Sequence, residues 1–180
     1  MTRYGDWIRT FTGRKFYPLD PRPREVHLMD IAHALSNICR YTGHCSEFYS
    51  VAQHSVLVSH YCDPVNALWG LLHDAAEAYL ADVARPVKRD IKGLKEIEER
   101  LMRAIAEKFG LPWPEPLDVK LIDTRLLIDE MRRLMPNPED CDHFGVLPMG
   151  IEIEPLSPKA AENLFLRRYA LLLSKKVVNE

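Results

Sequence analysis

Apolar positions recur at helical spacing along most of the chain, and they are densest between Asn66 and Lys88, NALWGLLHDAAEAYLADVARPVK. In the first half of that run Ala67, Leu68, Trp69, Leu71, Leu72, Ala75, Ala76 and Ala78 leave no wide polar face. This predicts a helix buried inside a domain and yielding near Leu80 to Asp82. Upstream, Ile31, Ala34, Leu35 and Ile38 predict a helix that starts near Asp30, its N-cap or first-turn acid, and closes at Gly43. Val51, Ser55, Val58 and Cys62 predict another, capped by Ser50 and broken at Asp63-Pro64. Downstream, Leu94, Ile97, Leu101, Ile105 and Phe109 form the inward stripe of an amphipathic helix that ends at Gly110. Leu121, Ile122, Leu126 and Met131 mark the next, where Asp129 and Glu130 are expected to pair with Arg132 and Arg133. Ser157 and Pro158 open the last helix.

The segments between these helices lack that period. DWIRTF and RKFYP flank Thr12-Gly13 and predict a small hairpin, after which Pro18, Pro21 and Pro23 exclude regular helix until about Val26. Residues 1–26 therefore read as an arm wrapped over the outside, its basic residues forming a solvated face. VARPVKRDIKG reads as a short basic loop, either solvated or suited to phosphate. LPWPEPL is a Pro-rich turn that offers Trp113 as an aromatic wall. Residues 136–157 read as a long loop with a brief extended run at GIEIEP, and His143 within it is expected at the surface.

Polar residues set inside the apolar helices carry the chemistry. His73, Asp74 and Glu77 fall in the densest apolar run, and on a regular helix Glu77 shares a face with His73 and Asp74. Carboxylates in an apolar shell cost several kcal/mol, roughly, unless a cation or a dedicated partner neutralises them. For an isolated His-Asp pair, a buried histidine beside a capped aspartate is the ordinary alternative. His54, among Val51, Leu57 and Val58, is the better ligand candidate of its helix, since His60 lies at the polar end. His33 reads as a hydrogen-bonded core histidine rather than a ligand. Asp123 is again an acid in an apolar neighbourhood. Together His54, His73, Asp74 and Asp123 offer two imidazoles and two carboxylates, a donor set without thiolate that suits Mn2+, Co2+, Fe2+, Ni2+, Zn2+ or Mg2+.

Composition narrows the classes. A chain of 180 residues is expected to form one domain, and its net charge of -2 gives no global attraction to nucleic acid. No run approaches eighteen apolar residues, roughly the membrane-spanning minimum, and the start MTRYGDWIRT lacks a signal-peptide core, so the cytoplasm is the expected compartment. Cys39, Cys45, Cys62 and Cys141 form no CxxC pair and read as free thiols.

The spacing of His54, then His73-Asp74, then Asp123 resembles the HD-domain phosphohydrolases, over about Asp30 to Asp129. Within that superfamily the chain is similar to the small bacterial 5'-deoxynucleotidases and the phage dATP triphosphohydrolases. The likeness rests on Arg40-Tyr41 before the first ligand, Ser50 leading to His54, and LLHDAAEAYLADVARPVK, with Glu77, Asp82, Pro86 and Lys88 at family spacing. Two departures stand out: Gln53 where relatives often carry Glu, and Tyr41 where Trp is expected. The resemblance implies an all-α fold, a compact HD-domain bundle of about six helices with small extended appendages. The N-terminal arm would span 1–26, the HD core about 30–135, and a C-terminal loop and helix 136–180. It implies a divalent-metal-dependent phosphohydrolase acting on deoxynucleoside monophosphates or on a dNTP such as dATP. His54, His73, Asp74 and Asp123 would hold the metal, Glu77 and Asp82 would be catalytic, and Arg40, Tyr41 and Lys88 would bind substrate. The expected partner is a small-molecule nucleotide, with no nucleic acid and no membrane, and a homo-oligomer is compatible with this reading. The alternatives are an HD phosphodiesterase acting on cyclic or alarmone nucleotides and a non-catalytic metal- or nucleotide-binding module. The second is disfavoured because Glu77 is intact.

Overall fold

A computed structural model of the chain describes residues 3–137 and 145–178, so Cys141 and His143 lie outside the described residues. The fold is all-α: among the described residues the regular sheet is one two-stranded hairpin, β1 (Ile8–Arg9) with β2 (Lys15–Phe16), Ile8 opposite Phe16. Gly13, with φ of 78°, turns that hairpin as expected. The hairpin is largely exposed, Ile8, Arg9 and Lys15 facing solvent, and one residue anchors it: Phe16 is fully buried and stacks on Tyr79 with ring centroids 3.9 Å apart. Thr12 also donates from its backbone N (2.7 Å) and its hydroxyl (3.1 Å) to Asp30, a buried acid inside the first turn of α1 (Leu28–Asn37) and not its cap.

Helix α1 stops six residues before Gly43. Ile38 to Arg40 leave it as extended chain and pair with Tyr49 to Val51, through Arg40 N to Tyr49 O (2.9 Å) and Val51 N to Ile38 O (3.1 Å). A long-range backbone pairing has overridden local helix propensity here. Tyr41 (φ 54°), Thr42 (φ 52°) and Gly43 then make a tight turn before α2 (Val51–Tyr61). Ser50 caps α2 as expected, its hydroxyl accepting from Gln53 N at 3.1 Å. This helix is buried nearly all round, and α1, α3 (Ala67–Leu72), α7 (Leu117–Leu134) and α8 (Pro158–Val178) pack on it.

The long apolar run is not one continuous α-helix. After α3 the chain tightens: Ala75 N reaches Leu72 O, Glu77 N reaches Asp74 O and Tyr79 N reaches Ala76 O, each at 3.0 Å and three residues back, before α4 (Glu77–Leu80). Bonds of that span place Asp74 and Glu77 one above the other, where a regular helix would offset them. The basic segment that follows is also helical rather than a loop, α5 (Arg85–Asp90). Helix α6 (Leu94–Phe109) buries Leu101 and Ile105 and ends on left-handed Gly110, and Ser157 caps α8. No described helix is long and apolar enough to cross a membrane.

Candidate metal centre

Three segments far apart in sequence bring their polar side chains to one point. α2 supplies His54, the tightened turn after α3 supplies His73 and Asp74, and α7 supplies Asp123. The approach of α2 to α3 depends on Gly70, where an added Cβ would lie 2.9 Å from both Cys62 Sγ and Ser59 Cα. Only a residue without a side chain allows the two histidine-bearing helices to come this close.

His54 Nε2 is the hub. It stands 3.3 Å from His73 Nε2, 3.1 Å from Asp123 Oδ1 and 3.7 Å from Asp74 Oδ2, and His73 Nε2 is 3.2 Å from the same Asp74 oxygen. The other nitrogen of each ring is already committed: His54 Nδ1 meets Glu130 Oε1 at 2.6 Å, and His73 Nδ1 meets Gly70 O at 2.8 Å. Both partners are acceptors, so each Nδ1 carries a proton, and each Nε2, once free of its own proton, directs a lone pair into the shared space. Two donors bound to one ion at about 2.1 Å, with angles near 90–110°, stand roughly 3.0–3.4 Å apart. His54, His73 and Asp123 could therefore hold a metal ion, with Asp74 at its edge. The electrostatics agree. Burial opposes charging the imidazoles, yet Asp74 and then Asp123 hold His73 up to about 10. Despite burial, the bond to His54 holds Asp123 down to about 2, and His73 followed by His54 and Arg40 holds Asp74 well below the usual carboxylate range.

Glu77 behaves in the opposite sense. Burial, then the neighbouring Asp74 and Asp82, push its carboxyl well above the usual range, and its buried Oε2 meets no hydrogen-bond partner among the described residues. Asp82 follows Ala81, whose φ of 72° turns the chain out of α4, and burial raises its carboxyl too. Both acids line a cleft of about 820 Å3 that also meets Arg40, Tyr41, Arg85, Lys88, Arg89, Asp74 and Asp123. A second cleft, about 440 Å3, reaches Asp74, Glu77 and Asp123 from the side of Trp113. The cation expected at Lys88 is engaged, its Nζ lying 2.7 Å from Glu98. Gln53 faces away from the cleft, its amide accepting from Leu156 N (2.9 Å) and donating to Glu154 O (2.7 Å), so this departure alters the anchoring of the C-terminal segment. His33 is hydrogen-bonded as expected, to Glu162 at 3.1 Å, but it is half-exposed and stacked under Phe11 rather than set in the core.

The residue that sequence reasoning missed is Glu130. It does not pair with the neighbouring arginines; it is 0% exposed and accepts from Arg40 Nε (3.0 Å), Tyr41 OH (2.9 Å), Tyr49 OH (2.9 Å) and His54 Nδ1. Asp129 is likewise buried and accepts from Met149 N and Gly150 N. The signal was present in the spacing: Glu130 is two helical turns from Asp123 and so on the same face of α7.

No family model matches the sequence. Two curated relatives do, over nearly their whole length. The uncharacterized protein YfdR of Escherichia coli K12 is 40% identical over 169 residues, covering 91% of this chain and 93% of its own. An uncharacterized protein of Rhodobacter capsulatus is 35% identical over 187 residues, covering 93% and 95%. The chain belongs to the YfdR family. In this member of the YfdR family the likeness takes in every element that builds the centre, since the aligned share leaves less than a tenth of the chain outside it.

Proposed function

We propose that the protein is a divalent-metal-dependent phosphohydrolase of the HD-domain type, acting on nucleotides. One observation carries the reading: two imidazoles, each with Nδ1–H spent on an acceptor, aim their Nε2 atoms at one another across 3.3 Å beside Asp123 and Asp74. Without a cation or an added proton that space holds opposed lone pairs and carboxylates, which is costly in a buried setting. His54, His73, Asp74 and Asp123 would hold the ion, which when bound polarises a phosphoryl oxygen and acidifies water.

The chain's own residues supply the rest. Glu77, whose Oε2 meets no hydrogen-bond partner among the described residues and which lines the cleft beside Asp74, orients water and, in its ionised form, takes its proton. Arg40, whose Nη1 lies 3.6 Å from Asp74, together with Arg85 and Arg89, brings positive charge to the cleft for a phosphate. Tyr41, Leu127 and Met131 supply apolar lining on which a base or sugar can rest, and Asp82 lines the same cleft. The volume of about 820 Å3 accommodates a nucleotide.

A panel of ribo- and deoxynucleoside mono- and triphosphates, with cyclic and alarmone nucleotides, tested with Mn2+, Co2+ and Mg2+, decides the reading. Products resolved as phosphate, pyrophosphate or triphosphate identify the bond cut, and a deoxyadenine nucleotide is expected to be the best substrate. Metal and nucleotide binding without turnover of any member would make the protein a binding module instead.

A further inference from the structure

We infer that Glu130 is a positioning residue that ties the anion-binding arm, Arg40 and Tyr41, to the metal ligand His54, so that one buried carboxylate sets both halves of the site. The inference rests on the proposed function and deepens it. Glu130 touches neither cleft, yet its Oε2 holds Arg40 Nε at 3.0 Å and Tyr41 OH at 2.9 Å, while its Oε1 holds Tyr49 OH at 2.9 Å and His54 Nδ1 at 2.6 Å. Four donors converge on two oxygens, and each of the four reaches a carboxylate that is entirely out of solvent. Such a group is expensive to bury unless every donor stays in place, so the ring angle of His54 and the rotamers of Arg40 and Tyr41 are locked together. Tyr41 and Arg40 sit on a short tight turn with positive φ at Tyr41 and Thr42, and this carboxylate fixes where that turn points. Replacing it by an amide places an N–H2 against at least one of the four donors. If the amide faces His54, the imidazole must move its proton to Nε2 and lose the lone pair that a cation needs; if it faces Arg40 and Tyr41, that arm is released.

The test compares Glu130→Gln, Tyr49→Phe and the parent in three measurements: thermal unfolding, Mn2+ affinity by calorimetry, and inorganic phosphate affinity of the metal-free protein. Glu130→Gln is expected to lower Mn2+ affinity about 10- to 100-fold and to weaken phosphate binding as well. Tyr49→Phe, which removes one bond to the same carboxylate, lowers the unfolding temperature and leaves both affinities within about twofold. Mn2+ binding in the parent with Glu130→Gln changing one affinity or neither overturns the inference alone; a parent that binds no Mn2+ overturns the proposed function and the inference with it. Should Glu130→Gln fail to fold, the parent decides: inorganic phosphate added to the metal-free protein is expected to shift the 15N resonance of His54 Nδ1, and an unmoved resonance overturns the coupling.

Discussion

His73 Nε2 and Asp74 Oδ2 stand 3.2 Å apart, two neighbours in sequence whose side chains meet at the same point between α2 and α7. In the metal-free protein that contact is a proton store. Burial opposes charging His73, but Asp74 and Asp123 raise it from 6.5 to about 10. Its imidazolium therefore contributes stability in full below about pH 6.5, and that contribution is lost as the pH climbs towards 10. A cation must displace the proton, so its affinity moves the other way. Between about pH 6.5 and 8.5 the unfolding temperature of the chelated protein is expected to fall, while the increment given by Mn2+ grows. At a hundredfold excess over Kd the increment is about 2.7 kcal/mol, or roughly 5–10 °C for a chain of this size. An increment that shrinks with pH would remove the competition between proton and metal.

Glu77→Gln separates chemistry from stability. Its buried carboxyl has an oxygen without a hydrogen-bond partner among the described residues and two acidic neighbours, so the neutral amide is expected to raise the unfolding temperature of the metal-free protein. Turnover should drop about 10²- to 10⁴-fold, the range for loss of a general base, with Mn2+ affinity retained. Turnover within a few-fold of the parent would transfer the role to Asp82.

Gly70→Ala tests the close approach of α2 to α3. The new methyl would lie 2.9 Å from Ser59 Cα and Cys62 Sγ, and a backbone atom cannot give way as a side-chain tip can. Overpacking of this kind costs about 1–3 kcal/mol, and it should also spread His54 from His73. Lowered stability with unchanged Mn2+ affinity would mean that the ligands adjust independently of the helices.

Ala81→Gly probes strain beside the cleft. Ala81 has φ 72° and ψ 161°, a region that side chains avoid and that costs on the order of 1–3 kcal/mol. Glycine adopts it freely, at an entropic cost of about 0.5–1 kcal/mol. The variant is expected to unfold at a higher temperature than the parent; a lower one would show that the surroundings already absorb the strain.

The helices read most directly from the sequence are those whose periodicity and caps agree. α6 ends on Gly110 where its apolar stripe ends, and α2 and α8 start at Ser50 and Ser157. His54, His73, Asp74 and Asp123 were legible for a related reason, since polar groups inside apolar helices must answer to something. What could not be read locally was decided by distant partners. Ile38 to Arg40 leave the helix because Tyr49 to Val51 offer a backbone partner, and nothing in SNICRY announces that. Glu130 looks like a surface acid among arginines until Arg40, Tyr41, Tyr49 and His54 are folded around it. Lys88 reads as a substrate-binding cation, and its pairing with Glu98 could not be read locally because Glu98 lies on another helix.

The stack of Phe16 on Tyr79 closes the beginning of the chain over its middle, and Tyr79 lies on the same short helix as Glu77. Phe16 therefore has no aromatic seat until α4 has formed. Its docking braces the short helix that carries Glu77. A protein cut or frayed ahead of α1 would keep every ligand and every acid, and still lose the surface against which α4 is held.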